Sequence, residues 1–569
     1  MAKKTDQDDP VSSGPYSSQA INNLLGFWLH IGSEDQLSTW KNLFAPLTSD
    51  EDINHALHTT RTAIQQAVDE SYEELKNQKN KKSKKDFDAS DLWFDLNDKI
   101  FLILESMIRK FVGDQKYRAR ESRRSEFLME QLLASLNPEN FLATNKAAIE
   151  LAISTNSESL KRGLTNQFRD LQSKTISKSD RTAFTLGKNI ATTKGQVIYQ
   201  NDLIELIQYQ PQTNSTFRDP LLIVPPFINK YYILDLQKHN SFVDFCVTRG
   251  INTFIISWKN ISENESHFTW DHYAQDGVKQ ALAVVQKVFQ KSNIHALGYC
   301  VGGTLLTSTL AVLPKTMIDK IVSLTLLTSM IDFSDAGDLS LFITEEYISL
   351  LDKVLEPKGV FPGWALNNTF SALRPNELVW RYVQSNYLRG ETPAPHDILH
   401  WNGDSTNLSG PCLRFYLRNM YLENRFKQPG GITVLGRPVD VGTITSPCMV
   451  IAAERDHIVP WRASFQSRSL LGSETEFLLT QGGHVAGVVN APGQTKYGFY
   501  TNSQSPLDLS ADEWLETASF EYKSWWEHWI SWFVSLQHRK HRTRGVMGNT
   551  HFPPLGPAPG EYVLEELHQ

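Results

Sequence analysis

The first third of the chain has apolar residues at intervals of three and four, which is the spacing of amphipathic helices. The pattern covers residues 22–43, 53–76, 91–112, 125–136 and 147–171. Polar connections separate these stretches, and Pro138 marks a break. We therefore predict a mainly helical N-terminal domain over residues 1–190. Because no nucleophile with a matching base lies in it, this domain would serve as a scaffold, an oligomerisation surface or a docking arm.

From about residue 195 the pattern changes to short, almost continuously apolar runs separated by helical stretches. The runs are residues 196–199, 204–209, 221–224, 253–258, 295–297, 321–327, 448–453 and 476–479. Continuous rather than alternating apolar runs are typical of a parallel sheet covered on both faces. Residues 271–291 have the pattern of a crossover helix between two such strands. We therefore predict a doubly wound α/β domain over residues 191–569.

Residues 332–442 interrupt this alternation of strands and helices. They contain helical fragments and many aromatic residues, among them Phe342, Trp364, Trp380 and Trp401. A long insertion between two strands of such a sheet commonly covers a binding site. We predict that this segment is a cap or lid subdomain.

Composition narrows the class of protein. The 569-residue chain has a formal net charge of −7, which gives no reason to expect a nucleic-acid partner. Its four cysteines form no CxxC pair, and this argues against a disulfide framework and a thiolate zinc site. No run reaches the roughly 18 apolar residues of a membrane span, so we expect a cytosolic protein without a transmembrane segment.

One pentapeptide carries a specific chemical signal. Residues 298–302 read Gly-Tyr-Cys-Val-Gly, which places Cys300 where an α/β hydrolase has the serine of its G-x-S-x-G elbow. The run before it predicts a strand and the residues after it predict a helix, as the elbow requires. We predict that Cys300 is a nucleophile.

Two further residues follow in the order of a hydrolase triad. Asp456 comes shortly after the run at 448–453, and His484 lies in a glycine-containing loop after the run at 476–479. A thiol needs a base, and the base needs an acidic partner that fixes its tautomer. We predict His484 as the base and Asp456 as its partner, while His457 is the competing candidate for the base.

Two backbone amides would hold the oxyanion of the reaction. One is the amide of Val301, which follows the nucleophile. The other would come from the loop that starts at Pro225 and Pro226, and since proline has no N–H the donor must be an amide later in that loop. The possible donors are Phe227, Ile228 and Asn229.

The choice of sulfur indicates the type of reaction. A thiolate is a strong nucleophile near neutral pH, and acyl exchange between thioesters is nearly isoenergetic. A cysteine therefore favours acyl transfer from a thioester over attack by water. An aromatic cap would exclude water and favour transfer to an alcohol.

The sequence resembles the polyhydroxyalkanoate synthases, in particular the single-subunit class I enzymes, over most of its length. The matching stretches include GYCVGGTLL, ERDHIVPW, GGHVAGVVNAPG, PPFINKYYILDL and NYLRGETPAPHDILHWNGDSTNL. The resemblance implies an α/β-hydrolase catalytic domain with a helical cap insertion, preceded by a mainly helical N-terminal domain used for dimerisation and granule association. It also implies that Cys300 carries the growing polyester and that His484 is its base. Asp456 would either orient His484 or help to deprotonate the 3-hydroxyl of the incoming monomer.

The same resemblance implies the partners of the protein. The substrate would be an (R)-3-hydroxyacyl-CoA thioester, with a preference for 3-hydroxybutyryl-CoA, and no cofactor or metal would be needed. The protein would be a cytoplasmic homodimer on the surface of the polyester granule that it makes. Phe227 stands where the family pattern has tryptophan or cysteine, and the amino-terminal arm matches poorly. Two alternatives stay open: a thiol-type α/β hydrolase or depolymerase, and a non-catalytic granule-associated protein.

Overall fold

The computed structural model describes residues 50–79, 89–113, 119–290, 292–355, 359–493, 496–503, 505–537, 540–543 and 545–565. The predicted helix at residues 22–43 lies outside these ranges. The chain forms two compact units, of which the first comprises the part up to Gln172 together with Arg374–Thr392. The second comprises Ser173–Leu373 and Pro393–Gln569. The domain boundaries given above stay predictions.

The first unit is built from amphipathic helices. Its α-helices are Asp50–Lys79, Ala89–Gly113, Ala119–Leu136, Lys146–Ser154 and Glu158–Ser173. A 3-10 turn lies at Pro138–Asn140, and π-helices lie at Asn376–Trp380 and Val383–Leu388. A small core forms where Ile64 and Val68 meet Leu96, Ile100 and Leu104, each set spaced by four residues along its helix. The pattern at 147–171 is thus two helices rather than one. They are separated at Asn156 and Ser157, whose φ angles of 49° and 66° a helix cannot accommodate.

The second unit is organised around an eleven-stranded sheet, whose strands we number in chain order. They are β1 (Gly195–Gln200), β2 (Ile204–Tyr209), β3 (Leu221–Val224), β4 (Thr253–Trp258), β5 (Ile294–Tyr299), β6 (Ile321–Leu327), β7 (Cys448–Ala453), β8 (Thr475–Thr480), β9 (Phe499–Thr501), β10 (Ser519–Glu521) and β11 (Gly556–Pro557). Their order across the sheet is β10-β9-β8-β7-β6-β5-β3-β4-β2-β1-β11. Strands β3 to β8 are parallel, and the strands at both edges are antiparallel. All eight predicted runs are strands within one or two residues.

Helices cover both faces of this sheet. Successive residues of β3 alternate between two hydrophobic clusters, because Leu222 and Val224 belong to one and Leu221 and Ile223 to the other. The α-helices are Phe242–Thr248, Trp270–His272, Gln280–Val288, Val301–Leu310, Lys315–Ile318, Glu345–Leu355, Gly363–Ala372, Asp397–Gly403, Gly410–Tyr416, Trp461–Phe465, Ser467–Leu470, Ala511–Thr517 and Trp525–Ser535. The π-helices Tyr273–Lys279 and Leu417–Leu422 continue two of them. The predicted crossover helix is therefore helical from Trp270 to Val288 but wider in its middle.

Small elements complete the second unit. Short two-residue or three-residue strands lie at Ser215–Phe217, Val360–Phe361, Leu408–Ser409, Thr433–Val434, Arg437–Pro438 and Lys540–Arg542. Helical 3-10 turns lie at Tyr231–Leu234, Glu263–Glu265, Asp338–Leu341, Val441–Thr443 and Tyr562–Leu564. Within the described ranges, no helix combines the length and the apolar character needed to cross a bilayer.

Candidate active site

Cys300 lies at a sharp turn between strand β5 and helix Val301–Leu310. Its φ of 53° and ψ of −132° form a backbone conformation that residues with a side chain rarely adopt. The Cys300 amide donates to the carbonyl oxygen of Leu327 at 2.9 Å, which ties the turn to strand β6. The thiol is half-buried at the carboxyl edge of the parallel strands. This is the geometry that the predicted elbow requires.

The glycines around Cys300 are required by close packing. A Cβ atom on Gly298 would lie 2.4 Å from the Cα of Gly303, and one on Gly302 would lie 2.4 Å from the carbonyl oxygen of Pro225. Contacts this short do not occur in proteins, so neither position accepts a side chain without a shift of the backbone. The elbow therefore lies directly against the loop that begins at Pro225.

Asp456 and His484 meet beside the elbow. Asp456 follows strand β7 and His484 follows strand β8, so the parallel pairing of these strands brings both residues to the edge that carries Cys300. Nδ1 of His484 lies 2.7 Å from Oδ2 of Asp456. Oδ1 of Asp456 accepts hydrogen bonds from the amides of Ile458 and Val459, at 2.9 and 2.8 Å. Both carboxylate oxygens are thus occupied, and the Asp456 side chain has no exposed surface.

The environment of His484 favours its charged form. Burial lowers the pKa of this imidazole, but the charges of Asp456 and Cys300 and the hydrogen bonds with both outweigh burial and raise the pKa well above its usual value. Because Nδ1 contacts Asp456, Nε2 is the nitrogen left for the thiol. The ring also stacks on Tyr299, with centroids 5.7 Å apart. His484 is therefore held between an acid and a thiol, as the predicted triad requires.

His457, the competing candidate for the base, lies elsewhere in the loop after β7. Its carbonyl oxygen would be 2.4 Å from a Cβ on Gly337, so its backbone packs against residues at the start of the insertion. The hydrogen bonds that join an imidazole to both Asp456 and Cys300 are those of His484.

The loop after strand β3, residues 225–230, is the predicted oxyanion loop. The side chain of Phe227 is buried between Trp258, Trp270 and Tyr273, at centroid distances of 6.0, 6.0 and 4.6 Å. Ile228, in contrast, lines the same cavity as Cys300 and Val301. Val301 is the first residue of helix Val301–Leu310, so its amide belongs to the positive end of that helix.

An apolar cavity extends from Cys300 under the inserted segment. Its walls include Met330, Ile343, Leu366, Phe370 and Leu417, all of which belong to the segment between β6 and β7. Such a lining is suited to an aliphatic group rather than a polar one.

Two tyrosines of the inserted segment add polar groups to this cavity. The rings of Tyr416 and Tyr421 meet edge to face at a centroid distance of 5.4 Å, and their hydroxyl groups are hydrogen-bonded. Burial raises the pKa of both, so both hydroxyls stay protonated near neutral pH. Nothing in their spacing along the sequence marks them as residues of this cavity.

Comparison with known proteins decides the family. Residues 79–246 match the family model described as poly-beta-hydroxybutyrate polymerase (PhaC) N-terminus, and residues 220–491 match the model of the alpha/beta hydrolase fold. The poly(3-hydroxyalkanoate) polymerase subunit PhaC of Cupriavidus necator is 41% identical over 450 residues, covering 78% of this chain and 76% of that protein. The chain belongs to the poly(3-hydroxyalkanoate) polymerase family. Members of this family are enzymes with an α/β-hydrolase fold.

Other members of the polymerase family match over similar or greater lengths. The subunit PhaC of Rhizobium etli is 36% identical, covering 83% of this chain and 74% of that protein. Poly(3-hydroxyalkanoate) polymerase 2 of Ectopseudomonas oleovorans is 30% identical, covering 98% of this chain and all of that protein. Among solved structures, a monoacylglycerol lipase of Paleococcus ferrophilus is 13% identical with a TM-score of 0.33, covering 58% of this chain and 99% of that one. The resemblance stated from the sequence and the predicted α/β-hydrolase fold are confirmed.

Proposed function

We propose that the protein polymerises (R)-3-hydroxyacyl groups from their CoA thioesters, with the growing chain carried on Sγ of Cys300. One observation carries the proposal: a thiol at a strained elbow acts on His484 so as to raise the pKa of its imidazole, which is bonded to Asp456 at 2.7 Å, and the thiol lines an apolar cavity. The names of the related polymerases support the substrate class. No cofactor or metal takes part in the proposed reaction.

In the first step His484 takes the proton of the Cys300 thiol at Nε2. The thiolate attacks the carbonyl carbon of the acyl-CoA, and the amides of Val301 and the oxyanion loop bind the resulting oxyanion. The bond to CoA sulfur breaks, the imidazolium returns the proton to the departing thiolate, and CoA leaves. An acyl thioester on Cys300 remains.

In the second step the 3-hydroxyl of another (R)-3-hydroxyacyl-CoA attacks that thioester. Its proton passes to His484, a new ester bond forms, and the bond to Sγ of Cys300 breaks. The lengthened chain, now a CoA thioester, can acylate Cys300 again. Because Asp456 is fully covered and both its oxygens are occupied, we assign it to the orientation of His484 rather than to direct contact with the 3-hydroxyl.

We further propose a preference for short acyl chains, with 3-hydroxybutyryl-CoA as the substrate, and action as a homodimer on the polyester surface in the cytoplasm. On the first unit, Leu164, Phe168 and Leu171 are about two-thirds exposed, at 66%, 65% and 67%. They lie on one side of helix Glu158–Ser173, since they are four and three residues apart. An exposed apolar stripe of this kind suits contact with a water-insoluble polyester.

The proposal is tested with purified protein and (R)-3-hydroxybutyryl-CoA. CoA release is followed with a thiol reagent, and the product is separated into polyester and free acid. We expect polyester from the wild type and from Cys246→Ala. This variant is the matched control, because Cys246 is a buried cysteine of helix Phe242–Thr248. Cys300→Ala should release no CoA. Release of free 3-hydroxy acid alone would point to a thiol hydrolase, and CoA release by Cys300→Ala would refute the proposed nucleophile.

A further inference from the structure

Residues 401–406 of the inserted segment run alongside the oxyanion loop. The Thr406 hydroxyl donates to the carbonyl oxygen of Phe227 at 2.7 Å, and the Thr406 amide donates to the carbonyl oxygen of Ile228 at 3.3 Å. Asn229 forms an antiparallel bridge with Ser405. The loop that offers the second oxyanion donor is therefore bonded to the segment that covers the cavity.

An ion pair between buried Lys230 and half-buried Asp404 lies at the end of this contact. Nζ of Lys230 lies 2.8 Å from Oδ1 of Asp404, and the Lys230 side chain is only 4% exposed. The other oxygen of Asp404 accepts from the Tyr232 hydroxyl at 2.9 Å. Trp401 Nε1 donates to the carbonyl oxygen of Lys230 at 2.7 Å, and Lys230 Nζ also donates to the carbonyl oxygen of Glu565 at 2.9 Å. The side chain and the backbone of Lys230 are both held.

These contacts fix the direction of one amide. A peptide group is planar and trans, so its N–H points opposite to its C=O. Because the carbonyl of Phe227 points toward Thr406, the N–H of Ile228 points away from Thr406. Ile228 lines the cavity together with Cys300. A change in the position of Thr406 would turn this peptide and move its N–H.

We infer that residues 401–406 hold the second oxyanion donor, the Ile228 amide, in place, and that Lys230 and Asp404 are the positioning residues of this contact. The inference rests on the proposed acyl transfer, because an oxyanion forms only in that chemistry. The contact links the covering of the cavity to catalysis. If residues 401–406 lose their hydrogen bonds to the oxyanion loop, the Ile228 donor is lost while Cys300 and His484 keep their places.

The inference is tested with two variants and a matched control. Asp404→Asn removes the charge from the ion pair, and Thr406→Val removes only the hydroxyl bond to Phe227. The control is Glu265→Gln, which breaks the Lys259 ion pair of equal length, 2.8 Å. The Glu265 carboxylate bonds Lys259 and Ser262, and both residues lie outside the oxyanion loop. For each, kcat and KM of CoA release from (R)-3-hydroxybutyryl-CoA are measured beside the rate at which iodoacetamide alkylates Cys300. Alkylation needs the thiolate but no oxyanion donor.

Loss of one oxyanion donor lowers kcat by about 10²–10³ in well-studied hydrolases. We expect kcat to fall about 10²-fold in Asp404→Asn and about tenfold in Thr406→Val, with KM and the alkylation rate within about twofold of the wild type. Glu265→Gln should keep the wild-type kcat. If Asp404→Asn does not fold, the inference is tested by Thr406→Val alone, because this variant leaves the ion pair of Lys230 and Asp404 in place.

Three results would overturn the inference. The first is a wild-type kcat in folded Thr406→Val and Asp404→Asn. The second is an alkylation rate that falls as much as kcat in these variants, and the third is a kcat that falls as much in Glu265→Gln as in Asp404→Asn. A wild type that releases no CoA would refute the proposed function instead. The positioning role would then be judged by acylation of Cys300 with a p-nitrophenyl ester, which needs the same donor.

Discussion

The contact between the elbow and the oxyanion loop predicts a large effect of a single methyl group at Gly302. An alanine Cβ there would lie 2.4 Å from the carbonyl oxygen of Pro225, 2.5 Å from that of Val224 and 2.6 Å from the carbonyl carbon of Pro225. Ordinary contact begins at 3.4 Å, so the elbow and the loop must separate by about 1 Å. All the opposing atoms belong to the backbone, and none can move aside by a change of rotamer.

The size of the effect follows from this displacement. Forcing an extra group into a packed site costs about 1–3 kcal/mol of folding free energy. A misplacement of about 1 Å between reacting groups lowers the rate by about 10²-fold. For Gly302→Ala we therefore expect a lower melting temperature and a kcat for CoA release reduced about 10²-fold.

The matched control is Gly556→Ala. Gly556 lies in the edge strand β11, and a Cβ there has no neighbour within 4 Å. This variant should keep the kcat and the melting temperature of the wild type. The assay is CoA release from (R)-3-hydroxybutyryl-CoA, with the melting temperature followed by circular dichroism. A Gly302→Ala protein that retains kcat within twofold would refute the close packing of elbow and loop.

Three further predictions concern charge and surface. Asp456→Asn removes the largest contribution that raises the pKa of His484. The imidazole signal in a pH titration by NMR should therefore show a lower pKa than in the wild type, and kcat should fall by at least about 10²; an unchanged titration would contradict the assignment. Burial lowers the pKa of His295 to about 3. Between pH 6.5 and 3 the unfolded chain therefore binds a proton at this residue that the folded chain does not. The free energy of unfolding should fall by about 2 kcal/mol by pH 5 because of this residue. Urea unfolding at pH 7 and pH 5 should show that loss in the wild type but not in a folded His295→Gln variant. Phe168→Ser should reduce sedimentation with polyester granules without altering initial CoA release, and unchanged sedimentation would argue against the apolar stripe of that helix.

Much of the catalytic unit could be predicted because its signals are local. A buried parallel strand is a continuous apolar run, and the elbow needs glycines at fixed offsets from Cys300. The positions of Asp456 and His484 follow from the rule that functional residues gather at the carboxyl ends of parallel strands. The short edge strands β9, β10 and β11 were missed, because two or three residues have no periodicity and pair only once their neighbours are in place.

The features of the site that could not be predicted depend on contacts between distant parts of the chain. Lys230 and Asp404 are 174 residues apart, and nothing in either segment marks them as a pair. Likewise, the sequence left Phe227, Ile228 and Asn229 equal as oxyanion donors. Our proposal that the Ile228 amide is the donor rests on a contact between distant segments, the hydrogen bond from the Thr406 hydroxyl to the carbonyl oxygen of Phe227.

The proposed acyl thioester on Cys300 is tested most directly by the mass of the peptide that contains this residue during turnover. The protein is mixed with (R)-3-hydroxybutyryl-CoA, quenched in acid within the first turnovers, digested and analysed by mass spectrometry. We expect this peptide to carry a series of additions, each a whole number of 3-hydroxybutyryl units, which hydroxylamine removes. An unmodified Cys300 peptide while polyester accumulates, or the same additions on another residue, would contradict the proposed thioester.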